Sequence, residues 1–222
     1  LNQLQSNNSD LVLVLGDVTA AGTMESAERA REMLDQSGLC YRMIPGNSDE
    51  RTPAHCAAVS ERLTVDTPFY ADDYAVCLLD TPHGALSPRA RDQLKTVMET
   101  AGDRPIVLGS HYPPAVCMKD PYVKSLIEAE KVSLFIGAHV HRDQERSIGK
   151  MAVHTVRGLD PDKANGGPPA VALFEFIDGE WKTDLIPFED GAVTNWSPGM
   201  RQEFIDHLGF SCMSESLEGL RY

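Results

Sequence analysis

Short apolar runs that stop at a glycine recur along the first two thirds of the chain. Runs of this kind, rich in Val, Leu and Ile, predict buried strands. Four of them, each followed closely by Gly and a polar side chain, are Leu11–Leu15, Tyr41–Ile44, Pro105–Leu108 and Val132–Ile136. A fifth run, Tyr74–Leu79, ends at Asp80.

Helical patterns separate these runs. Met24–Gln36 is rich in Ala, Glu and Arg, and Gly38 follows it as a stop signal. Ser87 can cap a second helix, Pro88–Thr100, because Pro is favoured at the first helical position. Tyr122–Glu130 is a shorter candidate. Strands that alternate with helices predict a layered α/β domain.

The pattern changes after His141. Strands are predicted at Met151–Val156, Ala170–Ile177 and Trp181–Phe188, and Asp178-Gly179 makes the last two a hairpin. We therefore expect an α/β arrangement that is followed by mostly antiparallel β structure.

The chain divides into two predicted regions. We assign one domain to residues 1–188, and we interpret residues 189–222 as a C-terminal helical extension or a linker to a further domain. Both ends resemble cuts in a longer polypeptide, because the first residues look like the end of a helix and the last helical stretch stops within a few turns.

Charge and composition limit the kinds of partner that we expect for the protein. The chain has 222 residues and a net charge of −13, from 20 basic and 33 acidic side chains. Such a chain repels polyanions, so we expect no duplex nucleic acid as a partner. A small phosphoester remains compatible with this charge, because bound divalent cations make the charge at their site locally positive.

No feature of the sequence points to a membrane. No apolar run approaches the length that a membrane span needs, and the first ten residues lack the pattern of a secretory signal. The five cysteines form no C-x-x-C pair. Free cysteines in a reducing cytosol are the favoured interpretation, which predicts a cytoplasmic protein. Nothing in the sequence indicates an oligomeric state.

Polar side chains follow the predicted strands at the points where they end. They are Asp17, Asn47, His111, His139 and His141. In open α/β sheets, ligands bind outside the carboxyl ends of strands, so these side chains are expected to converge. Carboxylate, amide and imidazole ligands suit Mn, Fe or Zn. Each motif alone is a weak signal, but their order and shared position at strand ends make a strong one.

In this order the motifs resemble those of the calcineurin-like metallophosphoesterases, whose pattern is D-x-H, G-D, G-N-[HD], a strand-end His and G-H-x-H. The last four correspond to Gly16-Asp17, Gly46-Asn47, Gly109-Ser-His111 and Gly137-Ala-His139-Val-His141. The stretches Gly46–Arg51, Leu79–Ser87 and His111–Pro114 also resemble class III cyclic-nucleotide phosphodiesterases. The resemblance covers about Leu1–Phe188.

The resemblance implies a fold and an activity. The fold is the four-layer α/β/β/α metallophosphoesterase sandwich, here N-terminally truncated. The activity is hydrolysis of a phosphodiester, or of a phosphomonoester, by a hydroxide that bridges two divalent metal ions (Mn, Fe or Zn). A small phosphoester would then be the substrate.

It also implies roles for individual residues. Asp17 would bridge the two ions, while Asn47, His111 and His139 would complete the second site and His141 would belong to the first. Asp17, Asn47 and His111 are thereby also predicted catalytic residues.

Two further side chains are candidates for binding the substrate. Arg51 could bind its phosphate, although a solvated loop arginine is as good an interpretation. His83 could face the same site or simply lie on the surface.

Two departures from the family pattern qualify the prediction. No D-x-H precedes Asp17, so the first metal site has only Asp17 and His141. Ser48 stands where the cyclic-nucleotide relatives carry the histidine regarded as the general acid. Because Ser does not supply a proton near neutral pH, we expect a substrate with a good leaving group, or a proton donor from elsewhere such as His83.

Other interpretations stay open at this point. A phosphoesterase-fold scaffold that has lost catalysis, as in the retromer subunit of this family, is favoured by Ser48 and by the absent D-x-H. A purple acid phosphatase is disfavoured, because Ala20 stands where its tyrosine ligand belongs. A structural single-zinc domain is disfavoured by the lack of Cys ligands. Asp49 could orient the Gly-Asn turn or cap a following helix, and Tyr112 could face a substrate or pack beside two prolines.

Overall fold

The computed structural model of the chain describes residues 4, 5, 7, 9–159 and 169–187. Its helices are α1 (Met24–Ser37), α2 (Cys56–Leu63), α3 (Pro88–Thr100), α4 (Pro114–Cys117) and α5 (Pro121–Glu128). Its strands are β1 (Val12–Leu15), β2 (Tyr41–Ile44), β3 (Phe69–Tyr70), β4 (Ala75–Leu79), β5 (Ile106–Ser110), β6 (Val132–Gly137), β7 (Gln144–Ile148), β8 (Met151–Thr155), β9 (Ala170–Ile177) and β10 (Glu180–Pro187).

The largest sheet has six strands in the order β3-β4-β5-β6-β8-β7. Its four central strands are parallel, and the two edge strands β3 and β7 are antiparallel to their neighbours. A separate parallel pair is formed by β1 and β2, and β9 and β10 form an antiparallel hairpin. The parallel strands therefore bring several carboxyl ends to one edge of the fold.

Alternating side chains of β4 divide the core between the two faces of the large sheet. Cys77 and Leu79 cluster with residues of α3 and α5, including Leu94 and Val123. On the opposite face, a second cluster joins the large sheet to the other strands; it includes Val76, Leu78, Leu15 of β1, Ile44 of β2 and Trp181 of β10. In this second cluster, one sheet therefore packs against another.

A third cluster covers the far side of β1 and β2. It joins Tyr41 and Met43 of β2 to Ala27 and Leu34 of α1 and to Val59 and Leu63 of α2. The order of layers is therefore helix, sheet, sheet, helix. The mixed α/β fold with its central sheet, as predicted, is confirmed.

Local sequence explains the helix ends that were predicted. The Thr23 hydroxyl accepts from the Ser26 N–H and begins α1, and Gly38 ends it with a left-handed φ of 71°. The Ser87 hydroxyl accepts from the Ala90 N–H in the same way at the start of α3. The bounds of both helices agree with the prediction within one residue.

The structure also differs from the prediction in places. The short edge strands β3 and β7 were missed; β7 is almost wholly exposed and carries no apolar alternation. β8 was expected in antiparallel structure, but it also pairs in parallel with β6. The predicted extension, residues 189–222, and Phe188 lie outside the described residues. None of the helices in the described part of the chain combines the length and apolar character that a membrane span needs.

Candidate metal centre

The predicted ligands lie in loops at the carboxyl ends of four parallel strands. Asp17 follows β1 and Asn47 follows β2. His111 comes directly after β5, and His139 and His141 lie in the loop after β6. The parallel register of β1 with β2, and of β5 with β6, brings these loops to one edge of the fold.

The His111 ring is buried at the middle of this arrangement. Its Nδ1 lies 2.8 Å from the carbonyl oxygen of Leu15. A carbonyl oxygen only accepts, so Nδ1 carries a proton, and the tautomer with its single proton there presents a lone pair on Nε2. That Nε2 lies 3.0 Å from Asn47 Oδ1, 3.1 Å from His139 Nδ1 and 3.6 Å from Asp17 Oδ1.

The backbone at three of the predicted ligands adopts the left-handed conformation. The φ angles are 54° at Asp17, 67° at His139 and 53° at His141. Non-glycine residues seldom adopt this conformation, and such outliers concentrate at functional sites. The strain is consistent with loops that are held in place so that their side chains meet.

The electrostatics of His139 tie the two histidines of its loop to the same centre. Desolvation of its ring and then the proximity of His111 lower the pKa of His139, and His141 acts in the same direction while Asp17 opposes the change. A lowered pKa keeps the ring neutral, which is the form that ligates a metal. The His141 ring also lies close to Gly158, where an added Cβ would come within 2.8 Å of Nδ1.

Glycine is required where the loops after β1 and β2 cross. A Cβ added at Gly46 would lie 2.4 Å from the backbone N of Asp17 and 2.5 Å from its Oδ1. The Ser48 N–H donates to the same Asp17 Oδ1 at 2.8 Å. The Gly-Asn motif therefore lets the second loop approach Asp17 closely enough to hold its carboxylate in place.

Asp49 ties these two loops together. Its buried carboxylate accepts from the N–H groups of Val18 (3.2 Å), Thr19 (2.6 Å) and Gly46 (2.8 Å) and from the Thr19 hydroxyl (2.8 Å). Of the two interpretations of Asp49, the structure supports the one in which it orients the Gly-Asn turn.

The donor set at His111 fits a divalent cation. The lone pair of His111 Nε2 faces Asn47 Oδ1 at 3.0 Å and Asp17 Oδ1 at 3.6 Å, and both oxygens are acceptors. Acceptor atoms that face one another repel unless a positive charge lies between them. With the His139 ring beside them, they supply the mixed N and O ligands that suit Mn, Fe or Zn.

Two predicted substrate-binding residues lie on the surface. Arg51 is exposed and donates from Nη1 to the Ala20 carbonyl oxygen at 3.1 Å, which links it to the loop after β1. His83 lies in a 3₁₀ turn, Pro82–Gly84, with a φ of 52°, and its Nδ1 lies 3.3 Å from a carboxylate oxygen of Glu50. Their contact with a substrate remains a prediction.

Tyr112 forms one wall of the centre. Its ring lies edge-on to His111, with centroids 5.0 Å apart, and 4.7 Å from the centroid of His139. Desolvation, followed by the negative charges of Glu50 and Asp17, raises the pKa of Tyr112. The ring packs against the predicted ligands, a position that the sequence left open.

Comparison with known proteins places this centre in a family. A family model described as calcineurin-like phosphoesterase matches residues 1–143, which include the five predicted ligands. The chain belongs to the calcineurin-like phosphoesterase family. Members of this family usually bind divalent metals, in agreement with the donor set at His111.

One curated relative of this calcineurin-like phosphoesterase is the 3',5'-cyclic adenosine monophosphate phosphodiesterase CpdA of Pseudomonas aeruginosa. It is 25% identical over 158 residues, which are 64% of this chain and 58% of the relative. The chain thus spans little more than half the length of this relative.

Solved structures with a similar chain path include two proteins at 12% identity. One is a putative 5'-nucleotidase from Staphylococcus aureus, with a TM-score of 0.48 over 92% of this chain and 52% of that protein. The other is a Vps29 variant from Entamoeba histolytica, with a TM-score of 0.35 over 81% of this chain and 99% of that protein.

Proposed function

We propose that the chain hydrolyses a small phosphodiester in a reaction that depends on divalent metal ions. The observation that carries the proposal is the meeting of His111 Nε2, Asn47 Oδ1 and Asp17 Oδ1 beside His139. The similarity to a protein named as a cyclic-nucleotide phosphodiesterase supports a diester rather than a monoester. Manganese, iron and zinc all suit the ligands.

Different residues would hold the two ions and orient the ligands. Asp17, Asn47, His111 and His139 would hold one ion, and Asp17 and His141 would contribute to a second. Ions bound there would lower the pKa of a coordinated water and offset negative charge on the phosphoryl group. Leu15 and Asp49 would keep the ligands oriented, because they fix the His111 ring and the loops that carry Asp17 and Asn47.

The proposed substrate has a good leaving group. Ser48 is buried, and its backbone N–H donates to the carboxylate of Asp17. It offers the leaving oxygen no acid of suitable pKa. An ester whose leaving oxygen is a weak base, such as an aryl ester, needs no such proton.

A leaving-group series tests this point. Methyl aryl phosphodiesters with phenols of increasing pKa should be hydrolysed at steeply falling rates. Equal rates across aryl and alkyl esters would contradict the proposal. If His83 supplies the proton, the hydrolysis rate should depend only weakly on the leaving-group pKa in the wild type and strongly in the His83→Gln variant. The control is His55→Gln, at another exposed histidine, which should leave the wild-type dependence unchanged.

Metal analysis tests the dependence on ions and separates the enzyme from the scaffold alternative. After purification with Mn, Fe or Zn and extensive dialysis, the chain should retain bound metal, and chelation should abolish hydrolysis. Asn47→Leu should lose hydrolysis together with the metal bound at the His111 centre, while His55→Gln should lose neither. A well-folded chain that retains no metal and hydrolyses no ester of the series would instead favour the interaction scaffold.

A further inference from the structure

We propose a second cation site, separate from the centre at His111 and formed by Glu50, Cys56 and His83. One ligand atom from each of these residues lies within 4.8 Å of the other two. They supply a carboxylate oxygen, a sulfur and an imidazole nitrogen. The site would take a thiophilic divalent cation such as zinc, with water as the fourth ligand. This inference does not rest on the proposed function.

Two stretches of the chain bring these ligands together: the segment from β2 into α2, and the turn after β4. Glu50 follows the Gly-Asn turn after β2, Cys56 is the first residue of α2, and His83 lies in the 3₁₀ turn after β4. The imidazole Nδ1 of His83 lies 3.3 Å from Glu50 Oε2. The backbone of His83 has a left-handed φ of 52°, a strained conformation for a residue other than glycine.

The charge balance of Glu50 favours a bound cation. Its side chain is only 8% exposed, and in the described part of the chain its ion-pair contact is to the imidazole of His83, which is 77% exposed. The Glu50 carboxylate also accepts from the Ser60 hydroxyl at 3.3 Å. A largely buried carboxylate without a permanent positive partner is costly, and a divalent ion would offset that cost.

The thiol of Cys56 is available for ligation. It is a free, half-buried cysteine. Burial and then the nearby charge of Glu50 raise its pKa, so without an ion the group is a thiol rather than a reactive thiolate. On binding, the thiol would lose its proton to solvent as the sulfur–metal bond forms, and neither oxidant nor reductant is required.

Sulfur makes this site distinguishable from the centre at His111. The five predicted ligands of that centre are Asp, Asn and His, so a thiolate-to-metal charge-transfer band can come only from a cysteine site. Titration of the full chain with Co²⁺ should produce such a band in the near ultraviolet. Zn²⁺ should then displace it.

Matched variants decide the assignment. The band should be lost in Cys56→Ser, kept in Cys40→Ser, an exposed free cysteine, and kept in Asn47→Leu, which disables the other centre. His83→Gln and Glu50→Gln should each raise the Co²⁺ dissociation constant by more than the roughly 10- to 100-fold typical of an outer-shell partner. A band that survives Cys56→Ser in a folded variant, or no band in the wild type, would overturn the proposal. A band that is lost in Asn47→Leu but kept in Cys56→Ser would belong to a different site.

Discussion

The His111 ring donates from Nδ1 to the backbone carbonyl of Leu15 at 2.8 Å, although the two residues are 96 positions apart. This single contact sets which nitrogen of the ring faces the predicted ligands. It also joins the end of β5 to the end of β1, which belong to different sheets. The predicted metal centre and the packing of the two sheets therefore meet at one side chain.

Replacement of His111 by Phe tests this coupling. The ring shape is kept, but the Leu15 carbonyl loses its donor and the centre loses a ligand. In the presence of a chelator the free energy of unfolding should fall by about 1–3 kcal/mol, the cost of a buried polar group without a partner. Urea denaturation measures this fall in the free energy of unfolding.

The same variant should respond differently to metal. Added Mn²⁺, which has little affinity for a site with a sulfur ligand, should raise the melting temperature of the wild type, because a ligand that binds only the folded state stabilises it. The rise should be absent in His111→Phe and present in His55→Gln. An equal rise in His111→Phe would mean that His111 is not a ligand.

Gly46 offers a test that changes no ligand. In Gly46→Ala, the new Cβ would lie 2.4 Å from the Asp17 backbone N and 2.7 Å from His111 Cε1, so the loops must separate. We expect loss of metal binding and a fall in stability of about 1–3 kcal/mol. Calorimetric titration with Mn²⁺ and urea denaturation measure the two effects.

Gly137→Ala is the matched control, because it lies in the neighbouring motif. Its nearest contact would be 3.4 Å, an ordinary van der Waals distance, to the Pro113 Cα. This variant should bind metal with nearly wild-type affinity. Similar losses in both variants would show that small residues matter there for a reason other than the close approach of the two loops.

The sequence alone predicts that the candidate ligands follow the carboxyl ends of strands. Apolar runs that end in glycine mark the carboxyl ends of strands, and parallel pairing then brings Asp17, Asn47, His111 and His139 together. Here the polar residue after each run carries the signal, since a structural loop has no need of His or Asn at that point. The order of the motifs along the chain also indicated the family that the chain resembles.

Other parts of the site could not be predicted, for physical reasons. The Leu15 carbonyl is a backbone group and leaves no mark in the sequence. Asp49 has a partial signal in the Gly-Asn motif, but its four donors come from two loops whose approach only the fold defines. Glu50 and Cys56 lie on the segment that leads from β2 into α2, but His83 comes from the turn after β4, and no spacing rule connects it to them.

Asp49 provides a third prediction. In Asp49→Asn, one carboxylate oxygen becomes an NH₂ group that must face a backbone N–H of Thr19 or Gly46. At least one buried donor then loses its acceptor, so stability should fall by about 2 kcal/mol or more. Urea denaturation measures the loss, and metal affinity should fall with it because the Asp17 and Asn47 loops separate.

Asp92→Asn is the control for this change. Its side chain is 78% exposed and lies 3.7 Å from Lys95. Removal of such a surface charge should change stability by less than about 0.5 kcal/mol. If Asp49→Asn were equally mild, the hydrogen bonds of Asp49 would not hold the two loops.

The fourth prediction concerns pH. Desolvation raises the pKa of Asp120, but hydrogen bonds from Arg91 and from the backbone N–H groups of Tyr122 and Val123 outweigh it, so the pKa lies below its ordinary value of 3.8. A carboxyl with a lowered folded-state pKa stabilises the fold fully above its unfolded pKa, and this contribution disappears as the pH falls through the folded-state value.

Asp120→Asn should therefore be less stable than the wild type by about 0.5–1 kcal/mol at pH 7, because the amide can still cap α5 but lacks the charge that interacts with Arg91 and with the helix N-terminus. The difference should shrink as the pH falls below 3.8, because the protonated carboxyl then resembles the amide. Urea denaturation of both proteins between pH 7 and pH 3 measures it, with Asp92→Asn as the exposed control. A difference that stays constant over this range would mean that the carboxylate charge contributes nothing beyond its shape.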